Sequence, residues 1–248
     1  MKNFLKTHYL PLGVLACSVI TMFLRMLLWI SAISNDESNL LPAGTWPDVV
    51  SWIMVAIVIA LLVFFCWKLK KLPKYRDHFK PSKLAAAGML LGAVGILISS
   101  ISALGGNGDT LTTISAVLGI VSAGSLGYLA FCRMKGARVS IAFHGIICLY
   151  LMLYLISCYR VWSSCAQLQV YAFELLAVVF TMLACYHRAA FDTDQGKPRS
   201  YAFFSCAALF FCIAALPGCN NEMFLLGCAA WMFTTPCDLT PAAENEKA

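Results

Sequence analysis

At 248 residues, 60% hydrophobic and only 12% charged, with a mean hydropathy of +0.78, the chain lies far from the half-apolar, quarter-charged make-up of a soluble domain. That composition excludes an ordinary soluble fold, and the apolar runs take up so much of the length that no large soluble domain fits beside them. The formal net charge of +6 is spread very unevenly, and its distribution carries information about orientation.

Taken in order, the runs predict a single all-α polytopic membrane domain over residues 1–248 with about eight transmembrane helices, at approximately 10–33, 48–67, 84–104, 111–131, 139–158, 166–187, 200–216 and 223–237. The runs are continuous, unlike the alternating ten-residue segments of a barrel, so helices are the expected spanning structure. The first run follows Lys2 and Lys6 as a signal peptide would, but it is too long for one and contains Arg25, so it reads as a span. Val14 to Cys17 makes a poor lipoprotein site, because Leu15 stands where a smaller residue is usual. The last two runs hold about 17 and 15 residues, at or under the usual lower limit for a span, which leaves a tilted or re-entrant hairpin as the alternative.

Charge orients the domain. Apart from Arg25 and Arg160, every one of the 18 lysines and arginines falls before the first span, after an even-numbered span, or in the tail. The opposite side carries Asp36, Glu37, Asp48, Asp109 and Glu222. The positive-inside rule therefore places both termini in the cytoplasm, and the expected location is the cell membrane, multi-pass. Trp29, Trp46, Trp52, Trp67 and Trp162 fall near span ends, where amphipathic rings sit at the interface.

The loop after the second span brings together Lys68, Lys70, Lys71, Lys74, Arg76, Lys80 and Lys83 against Asp77. Tyr75 and Phe79 interleave with these bases in a manner that would suit nucleic acid, but juxtamembrane position favours anionic lipid headgroups, at about 1 kcal/mol per base near the surface. The expected partner is the lipid bilayer, with anionic lipids at residues 68–83 and no nucleic acid, and a membrane-protein partner of unknown identity stays open. Gly88 and Gly92 in the third span, with Gly119, Ala123 and Gly127 in the fourth, recur at spacings of four and predict a closely packed hairpin through Gly105–Asp109. The 12 cysteines include no Cys-x-x-Cys, and most lie in apolar runs where they behave as small hydrophobes. Cys158, Cys165 and Cys219 map to the outer boundary, where a Cys158–Cys165 bridge would need an oxidising compartment.

Three spans carry polar stripes at helical spacing. Gln167, Tyr171, Glu174, Val178, Thr181 and Cys185 share a face of the sixth; Ser140, His144, Cys148, Leu151, Tyr154 and Cys158 share one of the fifth; Cys17, Thr21, Arg25 and Trp29 share one of the first. Together they can enclose a polar seam. Arg25 and Glu174, the two charges deep inside apolar runs, come out about 12–14 Å below the outer boundary at about 1.5 Å per residue, so an ion pair between them is expected. His144 lies nearer Cys185 and His187, and a direct contact with Glu174 is not expected.

The ligand or proton-site candidates are Glu174, Arg25, Tyr171, Gln167, Thr21 and His144. They suit a small-solute transporter or membrane-embedded binding subunit; the alternative is a structural or assembly subunit in which Arg25 and Glu174 only lock helices in register. An enzyme ranks third, because His-Glu-x-x-His, Gly-x-Ser-x-Gly, Walker A and dinucleotide fingerprints are all missing. Cys185, His187, Asp192 and Asp194 have metal-type donors at a spacing that fits no site, so they read as a solvated helix end, and neither metal nor cofactor is expected.

Overall fold

The computed structural model describes residues 2–34, 45–67, 79, 81–106, 109–162, 171–219 and 221–237, without the side chains at 2–9, 32–34, 161–162 and 237. The regular structure among them is helical throughout: α1 Lys2–Ser34, α2 Trp46–Trp67, α3 Lys83–Gly105, α4 Thr110–Lys135, α5 Ile141–Trp162, α6 Ala172–Asp192, α7 Pro198–Ala214 and α8 Glu222–Cys237. Six of these, α1 to α6, are long and apolar enough to cross a membrane. Each falls where an apolar run predicted it. α1 begins eight residues early, at Lys2, and α6 is shifted as a whole, starting at Ala172 rather than near 166 and running on to Asp192.

Local chemistry sets several boundaries. Ser82 caps α3 by accepting from the Ala85 N–H at 3.3 Å, and Asp109 caps α4 by accepting from the Thr110 N–H at 2.9 Å. α4 ends on Gly136 in the left-handed region at φ 70°, with the Ala137 N–H donating to the Cys132 carbonyl at 2.9 Å. Pro198 opens α7 at its first turn, where its missing N–H costs nothing.

Helices α3 to α8 close a ring, each packing on the next and α8 returning to α3, while α1 and α2 lie outside against α7. α7 is therefore covered from both sides, and every residue from Ser205 to Ala214 is buried. A helix apolar all round belongs in such a position. Its 17 residues span about 25 Å, short of the roughly 30 Å hydrocarbon thickness, so one of the two weakest predicted spans is the innermost helix.

The glycine stripe of α3 was expected to face α4, and this needs correction. The α3–α4 contact is extensive, yet a Cβ on Gly95 would come 2.6 Å from the Met223 carbonyl of α8 and one on Gly227 would come 3.0 Å from the Gly95 Cα. Gly88 likewise abuts Thr234, so the close backbone approach is between α3 and α8. Gly119 does pack on Ser100 of α3, but Gly127 has nothing within 4 Å of a Cβ.

The outer faces of the long helices are apolar. Ile20, Phe23, Leu61, Leu91, Val117 and Met152 are among many large side chains left exposed, an arrangement that water would penalise and lipid would not. The molecule is an apolar helical bundle compatible with an integral membrane protein.

Candidate functional site

The stripes predicted on the fifth and sixth spans face one another as α5 and α6. Near the start of α6, Tyr154 Oη donates to Glu174 Oε1 at 3.3 Å and accepts from Asn221 Nδ2 at 2.9 Å. Halfway along, Cys148 Sγ donates to the Met182 carbonyl at 3.7 Å and Cys185 Sγ to the His144 carbonyl at 3.8 Å. At the far end His144 Nε2 lies 3.8 Å from Asp192 Oδ2, both side chains being 2% exposed. Thr181 Oγ1 bonds the Ala177 carbonyl at 2.7 Å and touches Cys212 Sγ at 3.8 Å, tying the seam to α7. His144 thus sits by Cys185 and away from Glu174, as its position in the span suggested.

Glu174 is not at mid-helix as expected. It is the third residue of α6, where the free N–H groups and the positive end of the helix dipole favour a carboxylate. Its side chain is nonetheless buried, beside the Tyr154–Phe224 ring pair at 4.7 Å between centroids.

The expected Arg25–Glu174 ion pair is absent from the contacts among the described residues. The Arg25 guanidinium instead lies 4.1 Å over the Phe173 ring. Depth was therefore matched, but consecutive helix residues point about 100° apart, and at this level Phe173 faces α1 while Glu174 faces α5. Among the described residues, the carboxylate whose field reaches Arg25 is that of Asp48, in the first turn of α2. Of the other candidates, Thr21 is buried but donates to the Cys17 carbonyl of its own helix at 2.9 Å, and Tyr171 is the N-cap residue of α6. Gln167 lies outside the described residues, as do Lys68, Lys70, Lys71, Lys74, Arg76 and Lys80; Lys83 is exposed at the start of α3.

The reading of Asp192 as part of a solvated helix end is overturned. Its carboxylate is enclosed and makes no hydrogen bond of ordinary geometry among the described residues, although the Val139 amide and the charges of Arg188, Arg138 and Arg133 act on it. His144 Nδ1 has no hydrogen-bond partner among those residues either. Arg133 and Arg188 are themselves buried and hold Phe79, from the segment before α3, with their guanidinium carbons 4.8 and 3.9 Å from its ring centre. Phe79 packs edge-on against Phe191 and Tyr201, which puts an aromatic plug beside the Asp192 end. Asp194, by contrast, is half-exposed and paired with Arg138 at 2.9 Å, while His187 stacks on Phe204 at 5.0 Å. Among the described residues these donors do not converge on a metal position.

Tyr154, Asn221, Arg188 and Asp192 were not among the site candidates, although Tyr154 lies on the polar stripe predicted for the fifth span. Arg188 and Asp192 also had a signal: continuing the α6 stripe beyond Cys185 by three and then four residues reaches them. Cys158 and Cys219 have free thiols near Glu174, and burial pushes the Cys219 thiol up to about 11; Cys165 lies outside the described residues. Comparison with protein-family models, curated proteins and solved structures finds no match to this chain.

Proposed function

We propose that the protein is a multi-pass integral membrane protein of the cell membrane, with its lysine-rich end in the cytoplasm, and that it is a small-solute transporter moving protons or a small cation along the α5–α6 seam. One observation carries this reading. Glu174 and Asp192 lie on one buried face of α6 about 27 Å apart, with the hydroxyl, thiol and imidazole groups of Thr181, Cys185, Cys148 and His144 between them. Buried carboxylates are costly in hydrocarbon, and a helix that keeps one at each end of a polar stripe fits a proton or cation route. In this reading Glu174 accepts at the outer end with Tyr154 as its hydrogen-bond donor, and the His144–Asp192 pair accepts at the inner end beneath Phe79. Arg188, with Arg133 and Arg138, holds the charge balance at the inner end. Anionic lipid headgroups around residues 68–83 complete the proposed setting.

A second reading has its own support. Tyr150, Tyr154 and Phe224 pack tightly beside Glu174, as they would in a structural subunit whose polar groups fix helix register. Liposomes loaded with a pH-sensitive dye separate the two. Wild-type protein is expected to dissipate an imposed pH gradient faster than empty liposomes, and Glu174→Gln and Asp192→Asn are each expected to return the rate to that of empty vesicles. Gradient decay no faster with wild-type protein than without it, across the common small cations as counter-ions, contradicts transport and leaves the structural role.

A further inference from the structure

Halfway along the α5–α6 seam, two thiols from different helices meet. Cys148 Sγ of α5 donates to the Met182 carbonyl at 3.7 Å, and Cys185 Sγ of α6 donates to the His144 carbonyl at 3.8 Å. Met182 lies one turn before Cys185 and His144 one turn before Cys148, so each sulfur reaches the turn that carries the other. The two thiols accordingly hydrogen-bond to one another across the helix interface. Cys185 is fully buried and Cys148 partly so. A cysteine acting only as a small hydrophobe has no need of a second thiol at its sulfur.

The surroundings say what such a pair can hold. Glu174 and Asp192 stand about 16 and 10 Å along α6 from Cys185, so neither carboxylate of the stripe is at this level. A hard cation, which is held by oxygen, is poorly served where the two nearest carbonyls already accept from the thiols. Among the described residues no third His, Cys, Asp or Glu completes a metal-binding group, so zinc, with its three or four protein ligands, is not provided for either. Two thiolates satisfy a soft monovalent ion, which sulfur selects and which takes two ligands in line. Such a dithiolate with its ion carries one net negative charge, and the positive charge of Arg188, one turn on from Cys185, acts at that sulfur. A second observation comes from His144. It is 2% exposed, and its Nδ1 has no hydrogen-bond partner among the described residues, so the turn of α5 that meets Cys185 keeps a buried polar nitrogen that packing alone does not explain.

We infer that Cys148 and Cys185 bind a soft monovalent cation, Cu(I) or Ag(I), between their sulfurs. Both S–H bonds break as the two sulfur–metal bonds form, the two protons leave for solvent, and no electron changes hands. The inference names a class of cation for the seam proposed above; it rests on that reading of where α5 and α6 meet, and not on conduction through it.

The test uses the full-length protein in detergent, reduced and kept under nitrogen, mixed with Cu(I) and then challenged with an excess of the Cu(I) chelator bathocuproine disulfonate. Wild type is expected to keep one copper per chain, and X-ray absorption at the copper edge is expected to show two sulfur neighbours. Cys148→Ser and Cys185→Ser are each expected to surrender the copper to the chelator, while Cys17→Ser, on α1 and away from the seam, keeps it. Loss of all copper from wild type overturns the inference, as does retention by both seam variants, which would place the ion on other cysteines. Nitrogen or oxygen neighbours in place of the two sulfurs overturn it as well, and because that spectrum is read on wild type it decides even where a seam variant fails to fold. Decay of a pH gradient in liposomes is read in parallel: copper retained without gradient decay removes transport and leaves the site, whereas gradient decay without retained copper removes only the metal site.

Discussion

The two ends of α6 solve one problem in different ways. At its start, Glu174 is buried but lies in the first turn, takes a hydrogen bond from Tyr154, and is served by a helix dipole of the favourable sign. At its end, Asp192 is the last helical residue, where the dipole opposes a negative charge, and it lacks an ordinary hydrogen bond among the described residues. What offsets that burial is cationic: Arg188 one turn back on the same helix, with Arg133 and Arg138 from the end of α4 and the segment after it. The first carboxylate is held by contact and the second by surrounding field. A contact can be cut by removing one hydroxyl, whereas a field is weakened only by removing a charge.

The largest expected effect comes from breaking the field. Arg188→Leu should destabilise the detergent-solubilised protein by about 3 kcal/mol, the low end for a buried charge deprived of its compensation, and should also lose the packing on Phe79. Adding Asp192→Asn should recover part of that loss in thermal unfolding; purely additive losses would mean that the two residues are not coupled. Phe79→Ala comes next. Removing the ring opens the Asp192 end, so Cys185, fully buried in the native bundle, should gain reactivity towards a membrane-impermeant thiol reagent from the lysine-rich side. Peptide mapping of the labelled protein checks this, and protection unchanged from wild type would mean that Phe79 does not seal the seam. Cutting the contact at the other end should cost less: Tyr154→Phe loses one hydrogen bond and strands Asn221 Nδ2, for about 1–2 kcal/mol in the same unfolding assay. The smallest effect is chemical. With its thiol pushed up to about 11, Cys219 should label slowly at neutral pH and progressively faster as the pH is raised towards that value.

Much of this arrangement could be read from residue spacing. Continuous apolar runs located all eight helices, and the α5 and α6 stripes identified the faces that meet, because period and hydropathy are properties of one helix alone. The depth of Glu174 within its helix was not legible, because α6 starts only at Ala172, but the relative level of the two helices was, since Arg25 does reach Phe173 beside Glu174. The direction in which each residue points around its helix axis was not. It depends on which helices become neighbours, and a step of one residue turns the side chain away from α1 and towards α5. The Gly88 stripe was misjudged for the same reason: α3 does pack on α4, where Gly92 meets Leu126, but the close backbone approach is to α8. Asp192 was passed over because the sixth apolar run was taken to end at His187, although α6 continues to Asp192 with its polar stripe intact. The short α7 was legible as apolar but not as central, which only the packing of its neighbours decides.

The account turns on Glu174 facing α5 rather than α1, and two double-mutant cycles measured on one protein test that directly. Tyr154→Phe with Glu174→Gln should show a coupling of about 1 kcal/mol in thermal unfolding, the scale of a shared hydrogen bond, whereas Arg25→Leu with Glu174→Gln should be additive within about 0.5 kcal/mol. Strong coupling of Arg25 to Glu174, with none between Tyr154 and Glu174, would contradict the seam.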